Sequence, residues 1–107
     1  MIKNIIGVYF MKKQTNEVSI IRDITKADNG IIYRYVLFCE KSEKVASFSI
    51  PLYSIEVSMT KDGELTSNVA KELFADIGKA VAFFEKLADN LATPIDLPYV
   101  IEDRIAF

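Results

Sequence analysis

The sequence predicts an α+β fold: an antiparallel β-meander of about five strands, then one long amphipathic helix and a short C-terminal helix. Three observations predict it. Runs rich in β-branched and aromatic residues fill the first two-thirds of the chain, tight-turn signals separate neighbouring runs, and helical spacing of apolar residues is clearest near the end. Short connections make neighbouring strands antiparallel. The 107 residues contain no linker or repeat, so a single domain is expected over residues 1–107.

The first four strands are assigned from β-branched and aromatic residues, over residues 2–13, 17–25, 31–40 and 52–60. The dipeptide Asn29-Gly30 predicts a tight hairpin turn, because both residues tolerate positive φ. Asp62-Gly63 predicts a second such turn, which folds residues 64–66 back on the preceding strand.

Residues 67–75 fit a helical stripe as well as a strand, and we favour extended structure up to Asp76. Apolar residues at three- and four-residue steps then predict a helix of roughly 16 residues from Ile77, with Asp76 as its N-cap. Pro94 is expected to end that helix, because proline disfavours helical geometry at the residue before it. A short helix over 97–104 is expected next, with Asp96 as its cap and Pro98 in its first turn.

The strand at 31–40 is apolar on both faces, whereas a strand with one wet face alternates between apolar and polar residues. Its first face carries Tyr33, Tyr35, Leu37 and Cys39, and its second carries Ile32, Val36 and Phe38 with Arg34 among them. One helix covers one face, so something else must cover the other. The sequence leaves two alternatives for what covers the second face: a partner chain, or the apolar C-terminal segment closing over a curled sheet.

We predict an interaction surface made of Tyr9, Tyr33, Arg34 and Tyr35, because tyrosine and arginine anchor protein interfaces. The leading hypothesis is a non-enzymatic module that binds a protein partner or a second copy of itself as a homodimer. The alternative is a small-ligand-binding domain with a pocket between sheet and helix, lined by Phe83, Phe84 and strand aromatics.

Composition argues against several function classes. The net charge of −2 lacks the concentrated positive surface that nucleic-acid binding needs. The chain has no histidine, and its four glycines stand apart, so histidine-based catalysis and glycine-rich phosphate loops are excluded. Glu102 and Asp103 are adjacent on a helix and do not face each other, so we interpret them as solvated charges. We expect no catalytic residue, metal site or cofactor.

Two features bear on location. The N-terminal apolar run ends at Lys12-Lys13 without a small-residue cleavage site, so neither a signal peptide nor a membrane helix is expected. A single cysteine, Cys39, cannot form an intrachain disulfide, which fits a reducing compartment. We therefore expect a cytoplasmic protein.

Three segments, at residues 33–37, 53–57 and 92–103, resemble a family of small bacterial proteins of unknown function. The resemblance covers roughly residues 30 to 105, and its most specific part is Thr93-Pro94 with the residues that follow. It implies a bacterial cytoplasmic protein and favours the extended interpretation of 67–75. It implies no activity, cofactor or site residue.

Overall fold

The computed structural model describes residues 16–42 and 51–105. These residues form four strands and two helices: β1 (Asn16–Asp28), β2 (Ile31–Ser42), β3 (Leu52–Lys61), β4 (Glu64–Phe74), α1 (Ile77–Asp89) and α2 (Leu97–Ile105). The strands make one antiparallel sheet in the order β1-β2-β3-β4. The α+β meander followed by two helices is confirmed, with four strands among the described residues rather than about five. The strand predicted over 2–13 lies outside them.

Both predicted hairpin turns are confirmed. Asn29 and Gly30 join β1 to β2 with φ of 52° and 78°, and Asp62 and Gly63 join β3 to β4 with φ of 53° and 80°. Two consecutive residues at positive φ match the right-handed twist of the flanking strands. These turns fix the register of the two hairpins that they close.

Residues 64–74 are extended, which confirms the favoured interpretation of that stretch. The pairing of β4 with β3 is irregular near its end, because Ala70 lies opposite Ile55 while Phe74 lies opposite Tyr53. Within this bulge Glu72 has a φ of 57°, and its backbone N–H donates to the Ser54 hydroxyl at 2.9 Å. The hydroxyl therefore satisfies a backbone donor that the bulge takes out of the ladder.

Helix α1 begins as predicted: the Asp76 carboxylate accepts the Lys79 N–H at 3.1 Å. It ends at Asp89, well before Pro94, so the predicted end was wrong. Leu91 adopts a φ of 51°, and the N–H groups of Leu91 and Ala92 donate to the carbonyls of Ala88 and Leu87. This left-handed cap satisfies the last carbonyls of the helix without glycine or proline.

The connection between the helices contains a reciprocal cap. The Asp96 N–H donates to the Thr93 hydroxyl at 3.2 Å, and the Thr93 N–H donates to the Asp96 carboxylate at 3.1 Å. Pro94 stands directly after Thr93, where a first-turn proline is tolerated. The Asp96 carbonyl then accepts the N–H groups of Tyr99 and Val100, which starts α2. The short second helix is confirmed, and the distinctive Thr-Pro segment has a local structural explanation.

Both helices pack on the same face of the sheet. Tyr35, Leu37, Ile55 and Val57 are fully buried against α1, and Leu97 of α2 joins the same core. Val100 and Ile101 also pack on this core. The C-terminal segment, as far as Ile101, therefore adds to the face that α1 covers. The expectation that it could wrap the opposite face is not met by these residues.

Candidate interaction face

The sheet face opposite the helices, which we call the open face, is set by the strand register. Residues directly opposite each other in neighbouring strands share a face. One row across the sheet consists of Asp23, Val36, Glu56 and Val69, and the next consists of Thr25, Arg34, Ser58 and Ser67. The open face thus mixes apolar, charged and hydroxyl side chains, whereas the covered face is almost wholly apolar on β2 and β3.

The open face holds most of the exposed large apolar side chains of the described residues. Five of them lie there: Val18, Ile20, Ile32, Leu65 and Val69. Three others, Ile77, Ile95 and Tyr99, lie on the helices and their connection. Single exposed apolar residues are ordinary on soluble proteins, but several on one face are typical of an interaction surface.

An ion pair ties β1 to β2 on this face. The Arg34 Nε donates to Asp23 Oδ1 at 3.0 Å, and Arg34 NH2 donates to Asp23 Oδ2 at 2.7 Å. These hydrogen bonds lower the pKa of the Asp23 carboxyl below its ordinary value, because they stabilise its charged form. The same pairing raises the pKa of Arg34, with a further contribution from the charge of Glu56. The fork geometry fixes the guanidinium in one orientation.

A shallow depression of about 340 Å³ lies in the open face. It is lined by Thr25, Ile32, Arg34, Val36, Glu56, Ser58, Thr60 and Leu65. Arg34 uses two of its five donors on Asp23, and Glu56 makes no ion pair or hydrogen bond with any described side chain. The depression therefore offers one cation with unused donors and one carboxylate that has a charge interaction with that cation but no described hydrogen bond or ion pair.

The polar groups of the covered face are differently placed. The Lys26 ammonium donates to the Ala88 carbonyl at 3.1 Å, the Tyr35 hydroxyl to the Ala92 carbonyl at 2.8 Å, and the Asn68 amide to the Pro94 carbonyl at 3.2 Å. Three strands thus hold residues 88–94, which we call the clasped segment. Burial raises the pKa of Tyr35 to about 12, with smaller contributions from Tyr33 and Asp96.

The structure corrects the predicted surface for two of its four members. Tyr33 and Tyr35 are 7% and 0% exposed and stack on each other in the core, with ring centroids 6.5 Å apart. They lie opposite Met59 and Val57, on the apolar face of β3 that the helices cover. Arg34 does lie on the open face, and Tyr9 lies outside the described residues.

Sequence reasoning missed the residues that give the open face its character. Leu65 and Val69 were assigned to the stretch after the second turn without a face, and Asp23 was not paired with Arg34. One signal was present, because the alternation in residues 53–59 separates an apolar side from a side with Ser54, Glu56 and Ser58. To assign the residues of the neighbouring strands to these two sides, one must also know the register between β2 and β3. The long connection between these strands does not reveal that register.

The pocket predicted between sheet and helix would require space around Phe83 and Phe84. Phe84 is fully buried, and Phe83 packs on Phe74 with ring centroids 5.4 Å apart. Both rings belong to the core cluster, and the depression described above lies on the other side of the sheet.

Within residues 16–42 and 51–105, no three His, Cys, Asp or Glu side chains are grouped so that they could hold a metal ion. Neither of the two helices described there is long and apolar enough to cross a membrane. A family model described as a family of unknown function, DUF6514, matches residues 11–106. No curated protein and no solved structure matches the chain.

Proposed function

The chain belongs to DUF6514, a family of unknown function, and we propose that it is a non-enzymatic protein-interaction module whose contact surface is the open face. One observation carries the proposal: five exposed large apolar side chains lie on one side of a sheet whose other side is closed by two helices. A face of this kind loses unfavourable apolar hydration when a partner covers it.

The composition of the open face supports a protein partner. Specific interfaces combine apolar contacts with charged and hydroxyl groups, and arginine is enriched in them. Arg34 and Leu65 line the same depression, so one contacting chain could reach a guanidinium and an aliphatic side chain together. The proposal includes a bacterial, cytoplasmic setting, which rests on the resemblance and on the single, buried Cys39.

The proposal is tested by photo-cross-linking in living cells with the full chain. A photoreactive amino acid replaces Leu65, which is 69% exposed, and in a matched control it replaces Ile95, which is 67% exposed on the helix side. We expect a covalent adduct heavier than the chain from position 65 and none from position 95. No adduct from position 65, or equal adducts from both positions, would contradict the proposal.

A further inference from the structure

We propose that the occupant of the open face is the open face of a second copy of this chain, packed sheet on sheet about a two-fold axis through the depression. This inference rests on the proposed function and names its partner. It draws on two observations: the charge pattern of the depression and the area of the face.

The charge pattern is self-complementary. In a two-fold interface, when residue i of one copy meets residue j of the other, j also meets i. Arg34 and Glu56 line the same depression. A two-fold axis that lies in the interface plane, midway between Arg34 and Glu56 and perpendicular to the line joining them, brings each Arg34 toward Glu56 of the other copy, and one symmetric contact forms two ion pairs.

Glu56 restricts the choice of occupant. A carboxylate that is buried by a partner without a matching cation is strongly unfavourable, because it loses its hydration. An entirely apolar partner surface would impose that loss, because within its own chain Glu56 has a charge interaction with Arg34 but no hydrogen bond or ion pair among the described residues. A second copy brings Arg34, which keeps three donors after its two bonds to Asp23. The chain therefore already carries the cation that covering the open face requires.

The area of the face is sufficient for a specific dimer. Four strands spaced about 4.8 Å apart, with about ten paired residues each at about 3.3 Å per residue, make a face of about 600 Å². Two such faces bury about 1,200 Å² in total, the lower end of the range for stable, specific interfaces. Aligned packing of two sheets face to face is an ordinary arrangement in β-sandwiches.

The test uses charge reversal in the full chain. In Glu56→Lys, every Arg34–Glu56 contact of a homodimer becomes a repulsion between two cations, and in Arg34→Glu it becomes a repulsion between two carboxylates. We expect each variant alone to raise the dimer dissociation constant at least about tenfold. Light scattering after size exclusion, across a wide concentration range, measures the molar mass.

Mixing the two charge-reversal variants supplies the matched rescue. In a mixed dimer the lysine introduced in one chain faces the glutamate introduced in the other, and the second contact keeps its native Arg34–Glu56 pair. The mixture should therefore recover the dimer that each variant alone has lost. A mixture that stays monomeric would overturn the inference.

Two apolar variants locate the interface independently of charge. Leu65→Glu places a carboxylate on the open face and should give a monomer, whereas Ile95→Glu makes the same change at a matched exposure on the helix side and should stay dimeric. Both side chains are exposed, so both variants should fold, and circular dichroism checks that they do. A dimer that persists in Leu65→Glu would also overturn the inference.

A wild-type chain that is monomeric at every concentration would rule out the second copy as occupant. The cross-link from position 65 then separates this inference from the proposed function. An adduct with a different protein would leave the proposed function standing with another partner. A cross-link within the same chain, to residues 1–15 or 43–50, would contradict both.

Discussion

The two faces of the sheet are built from the same four strands and differ in how their polar groups are used. On the covered face, Lys26, Tyr35 and Asn68 each donate to a carbonyl of the clasped segment, and the remaining core is apolar. On the open face, Glu56 makes no hydrogen bond or ion pair with any described side chain, although its charge acts on Arg34, and Leu65 is 69% exposed.

The two faces therefore differ in whether their side chains contribute to the stability of the fold. The buried Tyr35 hydroxyl is tolerated on the covered face because it is hydrogen-bonded, and the part-buried bonds of Lys26 and Asn68 tie the same segment to the sheet. Exposed apolar groups on the open face contribute little to folding, since they stay in water in the folded monomer. Stability should therefore depend on the covered face, and association, as proposed, on the open face.

The largest expected effect comes from making the same substitution, leucine to alanine, on each face of the sheet. Leu37→Ala removes a fully buried side chain and should lower the free energy of unfolding by about 2–5 kcal/mol. Leu65→Ala removes an exposed one and should change it by less than about 0.5 kcal/mol. Urea denaturation, at concentrations where the chain is monomeric, measures both. Equal losses would show that the open face belongs to the core.

The next largest loss of stability is expected when the Tyr35 hydroxyl is removed. Tyr35→Phe leaves the buried Ala92 carbonyl without its donor and should cost about 1–3 kcal/mol. Tyr33→Phe is the matched control, because the Tyr33 hydroxyl donates to no other group among the described residues. The two tyrosines are stacked neighbours, so a comparable loss in both variants would show that ring packing, rather than the hydroxyl, is responsible.

The same hydroxyl gives a pH signature. The pKa of Tyr35 is about 12 in the folded chain and near its ordinary 10 when unfolded, so the unfolded chain releases this proton first as pH rises. The raised pKa of Tyr35 makes its full contribution to the free energy of unfolding below about pH 10. About 2–3 kcal/mol of that free energy is lost as pH rises through about 12. Tyr35→Phe should lack this part of the alkaline loss. Denaturation midpoints of both chains across this window make the comparison.

The smallest effect is expected at the ion pair of the open face. Because the pKa of Asp23 is lowered in the folded chain, its stabilising contribution is present at neutral pH and is lost as pH falls through that lowered pKa. The carboxyl should titrate below its ordinary 3.8 by NMR, and Arg34→Gln should return the midpoint toward that value. An unchanged midpoint in Arg34→Gln would mean that the pair does not form in solution.

Much of the fold could be predicted from short-range patterns. The turns at Asn29-Gly30 and Asp62-Gly63 and the cap at Asp76 are local, since a few adjacent residues decide them. The end of α1 was mispredicted because a left-handed leucine, Leu91, ends it, and leucine carries no signal for that conformation.

The candidate site was harder to predict because it depends on which face the helices cover. In β2 both faces are apolar, so alternation within that strand does not show which of its faces the helices cover. Its pairing with β3 does, because Tyr35 lies opposite Val57 and Arg34 lies opposite Ser58. That register is a long-range property, and the residues between the two strands do not encode it in a recognisable turn.

The clasped segment also has a consequence during synthesis on the ribosome. Its three donors lie in β1, β2 and β4, 62, 57 and 26 residues before the carbonyls that they contact. Every strand is therefore made before the segment that covers it. A nascent chain that has not reached Ala88 lacks the clasped segment and with it part of the cover of the sheet, and chaperones and proteases act on apolar surface that is exposed in this way. The last stage of translation thus completes the cover on one side of the described sheet, and the other side is the one that we propose a partner covers.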